Sequence, residues 1–454
     1  MRIAPNHISF TDHAAYRDIY GHGAPIIKDQ FYANVAGGNP SMAQATDKQT
    51  HGAKRRNLAH VFSAKEIPAM EPRVIEVVRK LCEALAVKAG GGFVGPEDEY
   101  EVVDGGVFDL RPWLNMFTYD AITSMVFTQG YSFLERGSDL CLSRSACGKE
   151  KVVHAMDSFH SAGRFNTALG QLSSDAYKLG RKLLCFVHGN ESGSDFVGMA
   201  RHMVNQRLAQ EPKEPDLFSR LPVRPSEKRP VPMTFDEIVA ECTTMMDAGN
   251  DTTQTTLANC VYHLASHPDK QEKLFSALSA VLPPRDTGDG FLIPNTAILQ
   301  QVPYLRAVLE ENWRCRPPVA RGLPRNVVGS AGTNIAGHFI PPDTTVSASI
   351  LSLHRDESLF RDPLSFVPER WLPDDELGQD EHQRKNLKEY CIAFSLGPRA
   401  CIGRNLAFME VSIVVAALVL NFHWELAEPG REMPMVERFN HNPRELMVRA
   451  KVRE

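Results

Sequence analysis

Apolar residues along this chain recur mainly at helical spacing, with one region of strand-like alternation. The segment IPAMEPRVIEVVRKLCEALAVKAG reads as an amphipathic helix stopped by the glycine run Gly90 to Gly92. GGGFVGPEDEYEVVDGG then reads as a polar loop with strand-like ends. LRPWLNMFTYDAITSMVF returns to helical spacing, and residues from about 152 to 210 continue as helices joined by Gly/Ser loops such as HGNESGSD. The proline-rich, charged stretch RLPVRPSEKRPVPM reads as an exposed linker. Beyond it, Thr234 and Glu237 form a capping box that opens a helix running to about His267, where Pro268 stops it. A helix of that length crosses the whole molecule. Another starts at Pro303 and ends before Pro317. The β-branched residues and turn formers of 325–350 predict a small sheet, and a final helix covers about 404–420. The fold class is therefore mainly α with a small β lobe, in one domain over 1–454.

Composition changes this picture little. The chain has 454 residues, 43% hydrophobic and 23% charged, with a net charge of -5. That balance argues against nucleic acid as the main partner. The nine cysteines are odd in number and scattered without a CxxC, which argues against a disulfide framework or a structural zinc site. VSIVVAALVLNF, the longest apolar stretch near the end, has about half the length needed to cross a bilayer, and MRIAPNHISF lacks the pattern of a signal peptide.

One cysteine has a neighbourhood that asks for chemistry. In FSLGPRACIG, residues 394–403, Cys401 sits in a loop just before a helix. A thiolate ligand to haem iron needs a rigid loop, backbone N–H groups aimed at the sulfur, and a cation for a propionate. Gly397 and Gly403 supply the sharp turns, Arg399 the cation, Phe394 an apolar shield, and the helix N-terminus at about Arg404 a favourable dipole. A buried cysteine in a Gly/Arg loop is the bland alternative. The pattern F-x-x-G-x-R-x-C-x-G resembles the haem-binding signature of the cytochrome P-450 family. The resemblance implies that family's prism fold, with a buried haem b carried on Cys401. Thiolate ligation in turn implies oxygen activation.

The middle of the long helix reads Ala248-Gly249-Asn250-Asp251-Thr252-Thr253, an expensive choice inside a helix. Gly249 leaves room for a small molecule, and Ala248 and Thr252 share a face. The segment resembles the family's A-G-x-D-T-T motif, which implies that Thr252 hydrogen-bonds dioxygen and Asp251 relays protons. The alternative is a kinked helix with the threonine back-bonded to the previous turn.

Glu311 and Arg314 in EENWRCRPP, alone a common helix ion pair, resemble the family's E-x-x-R. With Arg370 in FVPERW they resemble its buried Glu-Arg-Arg network, a structural role. By the same resemblance His51, Arg55, Arg325 and His354 grip the haem propionates, with a solvated charge as the alternative for each. The other histidines read as ordinary. Val319, Ala320, Leu323, Met245, Met246 and Phe439 occupy family pocket positions, with plain core as the alternative.

The opening residues resemble a passage that in filamentous-fungal members follows a membrane anchor, a short helix and the first strand. Endoplasmic reticulum association is the family expectation, with membrane contact but no anchor in this sequence, so the chain is expected on the cytoplasmic face or free in solution. The resemblance implies a monooxygenase that inserts one atom of O2 into a small apolar substrate, a fungal secondary metabolite. Electrons come from NADPH through a separate NADPH-cytochrome P-450 reductase, docked near Lys385, Lys388, Arg399 and Arg404. Two rivals stand beside it: an enzyme of this fold that rearranges peroxides, and a haem binder or inactive relic.

Overall fold

The long helix spans Phe235–Ser266, opened by a complete capping box between Thr234 and Glu237. At about 1.5 Å per residue its 32 residues reach about 48 Å. It ends before Pro268, which serves as the first residue of the next helix, Pro268–Ser279. Two helices packed against it, Arg111–Phe127 and Arg404–Asn421, are buried on nearly every face. Their sequences are apolar all round rather than striped, the composition of a helix enclosed by others. Arg404–Asn421 is long and apolar enough to cross a membrane by composition, and here lies mostly buried among protein helices. The computed structural model describes the chain apart from residues 37, 96, 104–105, 211, 213, 224–231, 283–289, 374–386 and 454. The centre of the proposed linker at 220–233 and Lys385 lie outside the described residues.

The β lobe is a five-stranded sheet in the order Arg2–Ala4, His7–Phe10, Thr345–Ala348, Arg325–Val327, Ile26–Lys28. Only the pairing of His7–Phe10 with Thr345–Ala348 is parallel. The sheet region expected at 325–350 is thus present, completed by strands from the opening of the chain. A second sheet joins Phe422–Leu426, Met447–Val452 and Val107–Asp109, and a hairpin pairs Met435–Glu437 with His441–Pro443.

Two expectations fail between residues 140 and 210. HGNESGSD is not a loop: it forms the first turns of the helix His188–Ala209. Its small residues serve close packing. A Cβ on Gly189 would lie 2.7 Å from the Ser161 carbonyl oxygen, and one on Gly198 only 2.2 Å from Ser143 Oγ. Helix interiors accept glycine where a neighbouring backbone must approach this closely. In addition, Leu140–Arg144 and Glu150–His154 form a β-hairpin, so residues 152–154 are strand.

The network built on Glu311 forms as the resemblance implies. Its carboxylate accepts from Arg314 Nε and Nη2, both at 2.8 Å, and from Arg370 Nε at 3.0 Å. Trp371 Nε1 and the Val367 amide each add a bond of 2.9 Å. Arg314 further donates to the carbonyls of His354, Pro363 and Ser365. Glu311, Arg314 and Arg370 have no exposed surface, and such a network is favourable because its members are satisfied.

Glu410, buried inside Arg404–Asn421, is the contrasting case. Its Oε1 has no partner, and burial alone pushes its carboxyl up to about 8. The unfolded chain releases this proton near pH ~4.3, whereas the folded chain keeps it to about pH 8. Stability is therefore lost progressively as pH rises through that window. Glu410→Gln should leave the melting temperature unchanged near pH ~4 and stabilise by about 2 kcal/mol or more near pH ~9. Parallel melting curves with a constant offset across pH would refute this.

Candidate active site

The Cys401 loop is closed by its own backbone. The Cys401 amide donates to the Phe394 carbonyl at 2.9 Å, and a short 3-10 turn spans Gly397–Arg399. Gly397 has φ +70°, and a Cβ there would lie 2.2 Å from the Tyr20 carbonyl oxygen, so both conformation and space demand glycine. Phe394 stacks on Phe408 and meets Trp313 edge-on, which fixes the start of the loop. Cys82, Cys242, Cys260 and Cys315 are buried small apolar side chains, whereas Cys401 is accessible. Yet burial still pushes its thiol up, because protein surrounds it on almost every side. The sulfur therefore faces interior space rather than the outer surface. The Gly403 N–H and the charges of Arg55 and Arg404 act in the opposite direction and favour the thiolate.

Beside this loop a set of cations converges. His51 and Arg55 come from the helix Lys48–Leu58, Arg325 from the β lobe, Arg399 from the cysteine loop and Lys28 from the strand Ile26–Lys28. Arg55 donates to the Ala400 carbonyl at 2.9 Å, Arg399 to the carbonyls of Ala45 and Thr46, and Lys28 to that of Ala43. Arg325 Nη1 donates to the Tyr32 hydroxyl at 3.3 Å. None of these cations has an ion-pair partner among the described residues. Their mutual repulsion is visible in the titration of His51. Burial first, then the charges of Arg399, Lys28, Arg55 and Arg325, push it down to about 4. His51 is thus neutral at physiological pH, not the charge that the sequence reading expects. Arg399 is likewise lowered to about 10, by burial and then by Arg325.

A cluster of cations without an ion-pair partner among the described residues, next to an accessible cysteine sulfur, fits the two propionates and the iron of a haem. His354 does not join this cluster. Its Nδ1 faces the Arg314 carbonyl at 3.2 Å and its Nε2 accepts from the Ile392 amide at 3.0 Å. With both ring nitrogens committed to backbone, it braces the Glu311 network against the cysteine loop and has no atom to offer a propionate.

The long helix borders a cavity of about 1160 Å³. Asp247 and Ala248 are exposed to it in the middle of a helix whose remaining turns are mostly buried. Asp251 and Thr252 line it too. Thr252 Oγ1 donates to the Ala248 carbonyl at 2.8 Å, the back-bond expected of threonine in a helix. Gly249 points away from the cavity. A Cβ there would meet Ile122 at 2.7 Å, so this glycine serves the close approach of the Arg111–Phe127 helix rather than a small molecule. Of the proposed pocket residues, Val319, Leu323 and Phe439 line the cavity, whereas Ala320, Met245 and Met246 are core.

Asp251 carries partners that its motif does not reveal. Asn440 Nδ2 and Asn442 Nδ2 each donate to its carboxylate at 2.7 Å. His160 Nε2 lies 3.7 Å from Asp251 Oδ1. The Arg111 guanidinium, which can only donate, lies 3.0 Å from His160 Nδ1 and 3.3 Å from its Nε2. Burial pushes the Asp251 carboxyl up, but His160, Asn442 and Asn440 together bring it below the ordinary value. Burial holds His160 down at about 4, hence neutral. Asp247 behaves oppositely: burial and then the Asp251 charge push it up to about 7. Sequence reading missed Asp247, His160, Asn440 and Asn442. Only the run of polar residues in FNHNP hinted that a strand end is spent on something other than core. Near the cysteine side, Lys388 and Arg404 are exposed, while Arg399 is turned inward onto Ala45 and Thr46.

An accessible cysteine thus lies beside a cluster of cations, and a continuous long helix borders the cavity. A family model for cytochrome P-450 matches residues 11–450, and the chain belongs to that family. It is 30% identical to the cytochrome P-450 monooxygenase efuB of Hormonema carpetanum over 95% of this chain and 79% of the relative. It is 29% identical to the benzoate 4-monooxygenase bphA of Aspergillus niger over 100% and 86%. It is also 30% identical to the trichothecene C-15 hydroxylase of Fusarium sporotrichioides over 95% and 80%. The chain is an oxidoreductase of the oxygen-incorporating monooxygenase kind, and haem and iron binding follow from the family.

Proposed function

We propose that this chain inserts one oxygen atom of O2 into an apolar metabolite of the fungal secondary type, the other atom leaving as water. The observation that carries this is the accessible Cys401 sulfur beside Arg55, Arg325 and Arg399, which have no ion-pair partner among the described residues. Cys401 would hold the iron of haem b through its thiolate, and Arg55, Arg325, Arg399 and Lys28 would take the propionates, with His51 as a further hydrogen-bonding group. When bound, haem supplies the reductive activation of O2, to which the thiolate contributes electron density. Apolar Val319, Leu323 and Phe439 orient the substrate and exclude water from the cavity. The Thr252 hydroxyl holds a water in the cavity, and Asp251, which lines the same cavity, relays protons to it.

Electrons enter from NADPH through a separate reductase, for which the exposed Lys388 and Arg404 are the docking charges. The protein works as one domain around its cofactor, in contact with the endoplasmic reticulum membrane. The test is the reduced carbon monoxide difference spectrum of the haem-loaded protein. A Soret band at the position typical of thiolate ligation supports the reading, and an unshifted band refutes it. Thr252→Ala should retain haem and NADPH oxidation but divert about nine-tenths or more of the electrons to hydrogen peroxide. A fully coupled Thr252→Ala enzyme would remove the proposed role of Thr252.

A further inference from the structure

Arg438, at the tip of the Met435–Glu437/His441–Pro443 hairpin, is 7% exposed and lines the same cavity as Ala248 and Thr252. Its Nε and Nη1 are buried and have no hydrogen-bond partner among the described residues. Among the described residues no carboxylate lies within ion-pair distance of it. The nearest acid in effect, Asp251, has its oxygens occupied by Asn440 and Asn442. The groups facing Arg438 from other elements add little compensation: Arg111 and Arg164 repel it, and His160 nearby is neutral. Three of the other cations on the cavity wall have acid partners, whereas Lys28 donates to the Ala43 carbonyl and Arg181 to the Asn190 side chain. Arg144 pairs with Glu150, Lys151 with Glu191 and Asp195, and Arg201 with Asp236.

A buried, unpaired guanidinium is costly, and its fork geometry matches a carboxylate. Next to it, the Phe439 ring lies parallel to that of Phe31 with centroids 6.2 Å apart, an apolar wall for the body of a ligand. The geometry points to Arg438 as a specificity residue that binds the carboxylate of an amphipathic acid substrate. This rests on the monooxygenase reading of the cavity and narrows it from apolar metabolites to acids with an apolar or aromatic body. Anchoring at Arg438 fixes which end of the substrate lies away from the hairpin, towards Ala248 and Thr252.

The test uses the haem-loaded protein and isothermal titration calorimetry at neutral pH. Benzoate, 2-naphthoate and 4-phenylbutanoate are each compared with their methyl esters, and 4-phenylbutylamine serves as the opposite charge. At least one acid should bind about tenfold or more tighter than its ester. Arg438→Gln should abolish that preference and Arg438→Lys retain part of it. Acid and ester binding alike in every pair overturns the proposal, a result that needs no variant to fold. A preference that survives in Arg438→Gln overturns it too, as does an amine preferred over the acids, which would place recognition at Asp247. A normal thiolate spectrum without acid preference removes this inference alone. Acid preference without a thiolate spectrum removes the monooxygenase reading alone.

Discussion

Cys401→Ala should abolish the thiolate-type carbon monoxide spectrum and lower turnover by about 10³-fold or more, the scale of losing a group at the reacting centre. The fold should survive. The Cys401 side chain is accessible, and its loop is held by the Cys401 amide on the Phe394 carbonyl, which alanine keeps. Gly397 against Tyr20 and Phe394 on Phe408 hold the rest of the loop, and neither involves the sulfur. The decisive measurement is the spectrum beside a melting curve. A variant with wild-type melting and an unaltered spectrum would show that another residue ligates the iron.

Glu311→Ala has the opposite character and should destroy the fold rather than the chemistry. The substitution leaves Arg314 and Arg370 charged, fully buried and stripped of their shared acceptor, and it orphans Trp371 Nε1 and the Val367 amide. Breaking one side of a buried ion pair costs about 3–5 kcal/mol. Set against a total stability of about 5–15 kcal/mol, that removes much of what a domain has. The expected result is little folded protein, or a melting temperature lowered by about 3–5 °C where it accumulates. Glu311→Gln, which keeps the shape and two hydrogen-bonding atoms, should lose less. Folding of Glu311→Ala at wild-type stability would mean that the two arginines are satisfied by their backbone carbonyls alone.

The same network explains why His354 escaped its sequence assignment. The string LSLHRD places it near the cysteine loop in space, and the sequence offers no sign of which neighbour its ring will face. In the folded chain both ring nitrogens are claimed by the backbone of Arg314 and Ile392. Gly249 is a similar case. Its position in a polar break suggested room for a ligand, but the room is taken by Ile122 from another helix. HGNESGSD carried the composition of a loop, and packing against Ser161 and Ser143 made it helix.

By itself the sequence determined the features that depend on local order along the chain. These are the capped long helix, its stop at Pro268, the helix from Pro303, the strand-rich 325–350 region, and the cysteine loop with its glycines. Each follows from periodicity, capping or turn chemistry within a few residues, and family resemblance then gave the loop its meaning. What only the tertiary structure decided are relations between distant segments. It lowered the pKa of His51 by burying it and gathering cations around it, tied Asp251 to Asn440 and Asn442 some 189–191 residues away, and left Arg438 without an ion-pair partner among the described residues. Charge, burial and hydrogen-bond partners are properties of a three-dimensional neighbourhood, and no spacing along the chain encodes them.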